Sequence, residues 1–299
     1  MAWKYWMQAC RLLVFCELFT LARGANVLVQ PLTGEGSHYY LATTVAKEMV
    51  ARGHNVTILV DDKFLEQILS KEDSKLFHFV SFKPEFTMEE HKEILRTLTD
   101  AGLRGEYIQW LMDLIKSGHM ERQVTECHNI MGDVDVMSRL RNSNFDLAVV
   151  DSTQLCPLVQ YLGKPYVALH PVLTIASAVL FHNRVPFYPS YIPEFGSALD
   201  HRMTLADRFK NAAYMIFFNG LMATFGSPFD EIRIQYGLSD KPLQYADAEM
   251  WLIQTHFALD FPRPLLPNTV TIGGLTTSPA KPLDDVSCSF LCHIKLIIE

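Results

Sequence analysis

Short apolar runs alternating with amphipathic helical patterns predict an α/β fold, a Rossmann-like parallel sheet with inserted helices. Three observations carry that expectation. Ala25 to Val60 reads as strand, helix, strand within the length of a βαβ unit. Further β-rich runs ending in turn residues recur at Phe145 to Asp151 and Pro165 to Pro171, with helical material between them. The 299 residues are 49% hydrophobic, enough to bury a large core. The net charge of -7 is mild and both signs are interspersed, which gives no support to a nucleic-acid partner.

In chain order, Ala25 to Gln30 is β-rich and ends at Pro31, and the glycines Gly34 and Gly36 allow a sharp turn. From Ser37 the pattern turns helical, with Leu41, Val45, Met49 and Val50 on one face, Ser37 as N-cap and Gly53 as the stop. A dinucleotide loop is disfavoured here, because the third glycine of that fingerprint falls on the bulky Tyr39. Val56 to Val60 is the second strand and Phe64 to Leu69 a short helix. Leu76 to Phe82 is the third strand, apolar enough to be buried on both faces. Met88 to Leu140 carries two or three amphipathic helices punctuated by glycines.

Phe145 to Asp151 places an acid at the carboxyl end of a strand. Leu158 to Gly163 is a short helix and Pro165 to Pro171 the fifth strand. Val185 to Pro193 is a proline-rich extended connector. Thr204 to Phe225 is a helix whose uncharged part, Ala212 to Phe225, is short for a membrane span, so it is expected in the core or at an interface, with peripheral membrane contact as the other reading. Trp251 to His256 and Val270 to Leu275 are the last strands, joined by a non-helical proline-rich link.

Residues 1–24 read as a secretory signal peptide, with Lys4 and Arg11 ahead of a short apolar stretch and small residues at Ala22 and Gly24; an N-terminal core or anchor helix is the other reading. Of six cysteines, Cys127, Cys156, Cys288 and Cys292 then remain, and Cys127 with Cys156 is a candidate pair that spacing alone does not establish. Cys288, Cys292 and His293 resemble half a metal site without a second half, so no metal is expected. Asn55-Val56-Thr57 is an N-glycosylation sequon, conditional on a secretory chain and on exposure of the strand's start.

His38, just after the first strand, and Asp151, at the end of the fourth, both fall at the rim where doubly wound sheets bind ligands. His38 can accept a proton from a hydroxyl while a carboxylate fixes its tautomer. From position alone Asp151 is equally a cap for the following helix together with Ser152. No Gly-x-Ser-x-Gly elbow is present, which favours activating a substrate's own hydroxyl over covalent catalysis.

At this point the sequence resembles the N-terminal half of a membrane-associated UDP-glycosyltransferase of the UDP-glucuronosyltransferase family. The resembling stretches are Gly36 to His38, Arg52 to Thr57, Phe145 to Asp151, Leu162 to Ala168, Tyr191 to Phe195 and Asp260 to Asn268, in family order. The resemblance implies the N-terminal, acceptor-binding domain of a GT-B fold at residues 25–285, working in the endoplasmic reticulum lumen and membrane-associated. His38 matches the family's general base and Asp151 its charge partner, for inverting transfer of a glucuronosyl or other hexosyl group from a UDP-sugar co-substrate, with no cofactor, to a small lipophilic acceptor hydroxyl. The family's donor-binding half does not follow, and residues 286–299 diverge from it. The expectation is therefore a truncated chain, not self-sufficient, or a non-catalytic acceptor-binding or regulatory partner that forms homo- or hetero-oligomers with full-length relatives.

Overall fold

The computed structural model describes residues 24–32, 36–68, 72–84, 87–104, 107–153, 155–171, 187–194, 197–239 and 245–277. Residues 1–23 of the signal-peptide candidate, Gly34, the Cys288, Cys292 and His293 set and the 286–299 tail lie outside them. The elements run β1 (Asn26–Gln30), α1 (Ser37–Ala51), β2 (Asn55–Asp61), α2 (Asp62–Ile68), α3 (Asp73–Leu76), β3 (His78–Phe82), α4 (Met88–Leu103), α5 (Tyr107–Lys116), α6 (His119–Gly132), α7 (Val134–Asn142), β4 (Leu147–Asp151), α8 (Leu158–Tyr161), β5 (Tyr166–His170), α9 (Leu205–Gln235), β6 (Met250–Ile253) and β7 (Thr269–Thr271).

The strands form one seven-stranded sheet in the order β3-β2-β1-β4-β5-β6-β7, with every pair parallel. The chain winds outward from β1 through β2 to β3, then crosses back to lay β4 on the other side of β1. This reversal makes the carboxyl ends of β1 and β4 the switch point of the sheet. The pleat divides the core in two. Val27, Val29, Ile58, Val60 and Val149 pack under α1 and α2 with Leu41, Val45 and Phe64, while Leu28, Leu59, Ala148, Val150 and Ala168 meet α6, α7, α8 and the carboxyl end of α9 on the other face. Central strands covered on both faces are the near-continuous apolar runs that the sequence shows.

Several expectations need correction. Ser37 is the first helical residue and Gly36 occupies the N-cap with φ 125°, so the cap is a backbone conformation suited to glycine and not a side-chain hydrogen bond. β3 is an edge strand, buried only at Val80 and Phe82, and Leu76 is an exposed residue of α3. The Met88 to Leu140 region holds four helices, α4 to α7, and Asp133 caps the last by accepting from the backbone N–H groups of Asp135 and Val136. β7 is short because the chain turns at Gly273, where an added Cβ would sit 2.5 Å from the Thr255 carbonyl oxygen. α9 starts as expected at Thr204, which forms a capping box with Asp207, but continues past Phe225 and through Pro228 to Gln235. Its core residues lie at that carboxyl end, Phe229 and Ile232, whereas Ile216 and Phe217 in the uncharged part are 68% and 54% exposed. Among the described residues no helix is long and apolar enough to cross a membrane.

The candidate acceptor site

The helix that follows β1, α1, carries His38 in its first turn, and β4 ends on Asp151, so the adjacent strands bring together residues 113 apart in sequence. His38 Nδ1 lies 2.8 Å from Asp151 Oδ2. Asp151 is fully buried while the His38 side chain keeps 29% of its surface, so the pair has a closed end and an open end. A carboxylate only accepts hydrogen bonds, so Nδ1 carries the proton and Nε2 is left as the basic nitrogen of the neutral ring. Asp151 Oδ1 is held in turn by the Thr153 backbone N–H at 2.9 Å and by the Thr153 hydroxyl at 2.6 Å. One oxygen thus faces His38 and the other closes the turn after the strand; Asp151 does not cap the following helix, which starts at Leu158 behind Pro157 with no side-chain cap.

Three further residues at this rim were missed by sequence reasoning. His170 ends β5 and is buried; its Nδ1 lies 2.8 Å from Ser152 Oγ, and the Ser152 backbone N–H donates to the Leu169 carbonyl. Burial lowers the pKa of His170 to about 4, against a pull upward from Asp151, with the His38 charge adding to the depression. His170 obeys the strand-end rule that singled out His38, so the rule was applied too narrowly. Asp61 obeys it as well, at the end of β2, but it accepts from the Phe64 N–H and caps α2. The third residue is Gln30, the last of β1, which is 1% exposed with neither amide atom paired among the described residues. An unsatisfied buried amide costs about 1–3 kcal/mol, which marks the position as a place for a polar ligand group or water. No periodicity separates Gln30 from the apolar residues before it.

Cys127 of α6 and Cys156 of the loop after β4 form a disulfide, so the pair that spacing left open is made, and it anchors the segment beyond Thr153 to the helical layer. Asn55 opens β2 with an exposed side chain whose Nδ2 donates to Asn26 Oδ1 at 3.1 Å, at the opposite end of the sheet from His38. The proline-rich link after β6 is locked by a buried ion pair between Asp260 and Arg263, 3.0 Å, and by the Thr255 hydroxyl on Asp260. Tyr39, the residue incompatible with a dinucleotide loop, is buried and packs edge-on against Phe64 with centroids 4.8 Å apart.

A parallel α/β sheet with helices on both faces and a histidine paired to a carboxylate at its switch point defines a class, a Rossmann-like domain. The sequence matches the family described as UDP-glucoronosyl and UDP-glucosyl transferase over residues 25–292, and the chain belongs to that family. It is 34% identical to UDP-glucuronosyltransferase 3A1 of Bos taurus over 273 residues, covering 88% of this chain and 50% of the relative. It is 32% identical to the Homo sapiens protein of that name, covering 91% and 52%. At 26% identity it also matches the 2-hydroxyacylsphingosine 1-beta-galactosyltransferase of Mus musculus, covering 89% and 48%. The chain thus spans about half the length of the curated relatives it matches. Solved structures similar to it include Phytolacca americana UGT2 complexed with UDP-2fluoro-glucose and pterostilbene, at TM-score 0.44 and 14% identity over 86% of this chain and 55% of that one. The calicheamicin glycosyltransferase CalG4 matches at TM-score 0.41 and 14% identity, over 84% and 53%.

Proposed function

We propose that residues 25–285 form the acceptor-binding domain of an inverting UDP-glycosyltransferase of the endoplasmic reticulum lumen. In this reading His38 Nε2 takes the proton of a hydroxyl on a small lipophilic acceptor. The acceptor oxygen then bonds to the anomeric carbon of a UDP-bound glucuronosyl or other hexosyl group, and the bond to UDP breaks with its electrons leaving on the phosphate. Asp151 holds Nδ1–H and offsets the imidazolium charge that develops. The observation that carries the reading is the 2.8 Å His38 to Asp151 pair at the switch point of a family member's sheet. No cofactor enters; the UDP-sugar is a co-substrate whose binding groups we assign to a second domain of the kind that makes the relatives twice as long.

The test is transfer from radiolabelled UDP-sugars to a panel of phenols and aliphatic alcohols, by this chain alone, joined to the second half of the human 3A1 relative, and co-expressed with that relative. Turnover is expected only where a donor half is present. His38→Ala should lower it by about 10²- to 10⁴-fold, the usual contribution of a general base. A His38→Ala protein that keeps more than a tenth of the turnover excludes His38 as the base. The exposed Ile216 and Phe217 on α9 support a second reading, association with full-length relatives as a non-catalytic partner. Altered turnover of the co-expressed relative is its signature, and unchanged turnover without co-purification its refutation.

A further inference from the structure

At the amino-terminal edge of the sheet, remote from the dyad, lies a cavity of about 570 Å³ lined by residues that include Asn55, Thr57, Phe79, Arg139 and Asn142. We propose that Asn55 carries an N-linked glycan and that this cavity seats its first N-acetylglucosamine. The proposal rests on the reading of the chain as secretory and goes beyond it.

The sequon meets the cavity in register. Residues alternate across a strand, so Asn55 and Thr57 share one face of β2 and both line the cavity, while Val56 between them is 1% exposed in the core on the other face. The Asn55 side chain is open to solvent although its backbone pairs with β1. In the modification, Asn55 Nδ2 bonds to the anomeric carbon of a lipid-pyrophosphate-linked oligosaccharide, the lipid pyrophosphate leaves with the bonding electrons, and one amide proton passes to the transferring enzyme's base. One N–H stays on Nδ2 after the transfer, so the nitrogen that bonds Asn26 Oδ1 at 3.1 Å remains a donor.

The walls suit the sugar. Its hydroxyl and acetamido groups can meet Arg139 and Asn142 at the end of α7, while Phe79 contributes backbone to the wall and turns its ring to the other face of the sheet. Arg139 Nη2 donates to the Phe79 carbonyl at 3.0 Å, which fixes a guanidinium that has five N–H donors against the cavity. His38 follows the other end of β1, at least ~13 Å of strand away, so a glycan here leaves the acceptor rim open.

The experiment expresses the chain in mammalian cells twice, once with its own residues 1–24 and once with these replaced by an established secretory leader. The second form isolates the site from the leader: a glycan on it alone refutes only the leader reading, and no glycan on lumenal protein overturns the proposal. Intact mass should show one glycan at Asn55, lost in Asn55→Gln and Thr57→Val and kept in Thr57→Ser. For the seat, peptide N-glycosidase should release the glycan from the folded chain about tenfold more slowly than from denatured chain, a preference of ~1.4 kcal/mol for the seated state. Arg139→Ser with Asn142→Ala should bring the two rates within about threefold. Equal rates in the unmodified sequence overturn the seat. Hydrogen exchange in β3 and α7 supplies a measurement free of substitutions: it should be about threefold slower with the glycan than after its removal, and identical exchange also overturns the seat.

Discussion

His38 and Asp151 meet because one lies in the first turn of the helix that follows β1 and the other ends β4, and their strands are neighbours only through the crossover that reverses the winding of the sheet. Behind them His170 is neutral at ordinary pH, since full burial holds its pKa at about 4. In the unfolded chain a histidine takes up its proton near pH 6.5. The native state therefore has no penalty above that pH, and as pH falls from 6.5 to 4 only the unfolded state gains a proton, so stability declines by up to ~3 kcal/mol. Chemical denaturation between pH 7 and 4 should show this slope, and His170→Gln should flatten it; an unchanged slope removes His170 as its source. The place of Asp151 was legible in the sequence because a strand end is visible in an apolar run, but its pairing with His38 was expected only from the family resemblance. Thr153, Ser152 and Gln30 were not legible, because what distinguishes them is the partner each side chain meets or lacks after folding.

Elements were legible where one local signal dominated. The strand and helix of Ala25 to Ala51 show clean period switching, and Thr204 with Asp207 announces the start of α9. They were misread where burial outweighed local preference. Pro228 inside α9 costs about 3 kcal/mol in helix terms, yet the helix runs on because Phe229 and Ile232 lock its last turns into the core. β3 was read as doubly buried because sequence shows apolar content and not sheet order, which places it at an edge. The Cys127 to Cys156 bridge links α6 to the loop beyond the Asp151 turn across 29 residues. Loop-closure entropy for that span predicts a loss of ~3–4 kcal/mol when both cysteines become alanine. Thermal unfolding of Cys127→Ala with Cys156→Ala, compared with the parent before and after reduction, checks it: the parent should fall toward the variant only when reduced.

At the scale of the whole molecule, the sheet divides the chain's chemistry between its two ends and leaves one long flank of α9 without cover among the described residues. Leu205, Phe209 and Ile216 are 72%, 71% and 68% exposed, and at 3.6 residues per turn they fall along one side of the helix. The sequence showed the apolar content of Ala212 to Phe225 but not its direction, because an almost unbroken apolar run has no polar face to set the phase. A stripe of this kind favours association when a partner removes it from water, at roughly 25 cal/mol for each Å² buried. Sedimentation of this chain should show concentration-dependent association that Phe209→Glu with Ile216→Glu suppresses. The thermal midpoint should stay within about 2 °C of the parent's, since neither side chain contributes to the core. Suppressed association with an unchanged midpoint identifies the stripe as an interface, whereas a large fall in midpoint would make it part of the folded core.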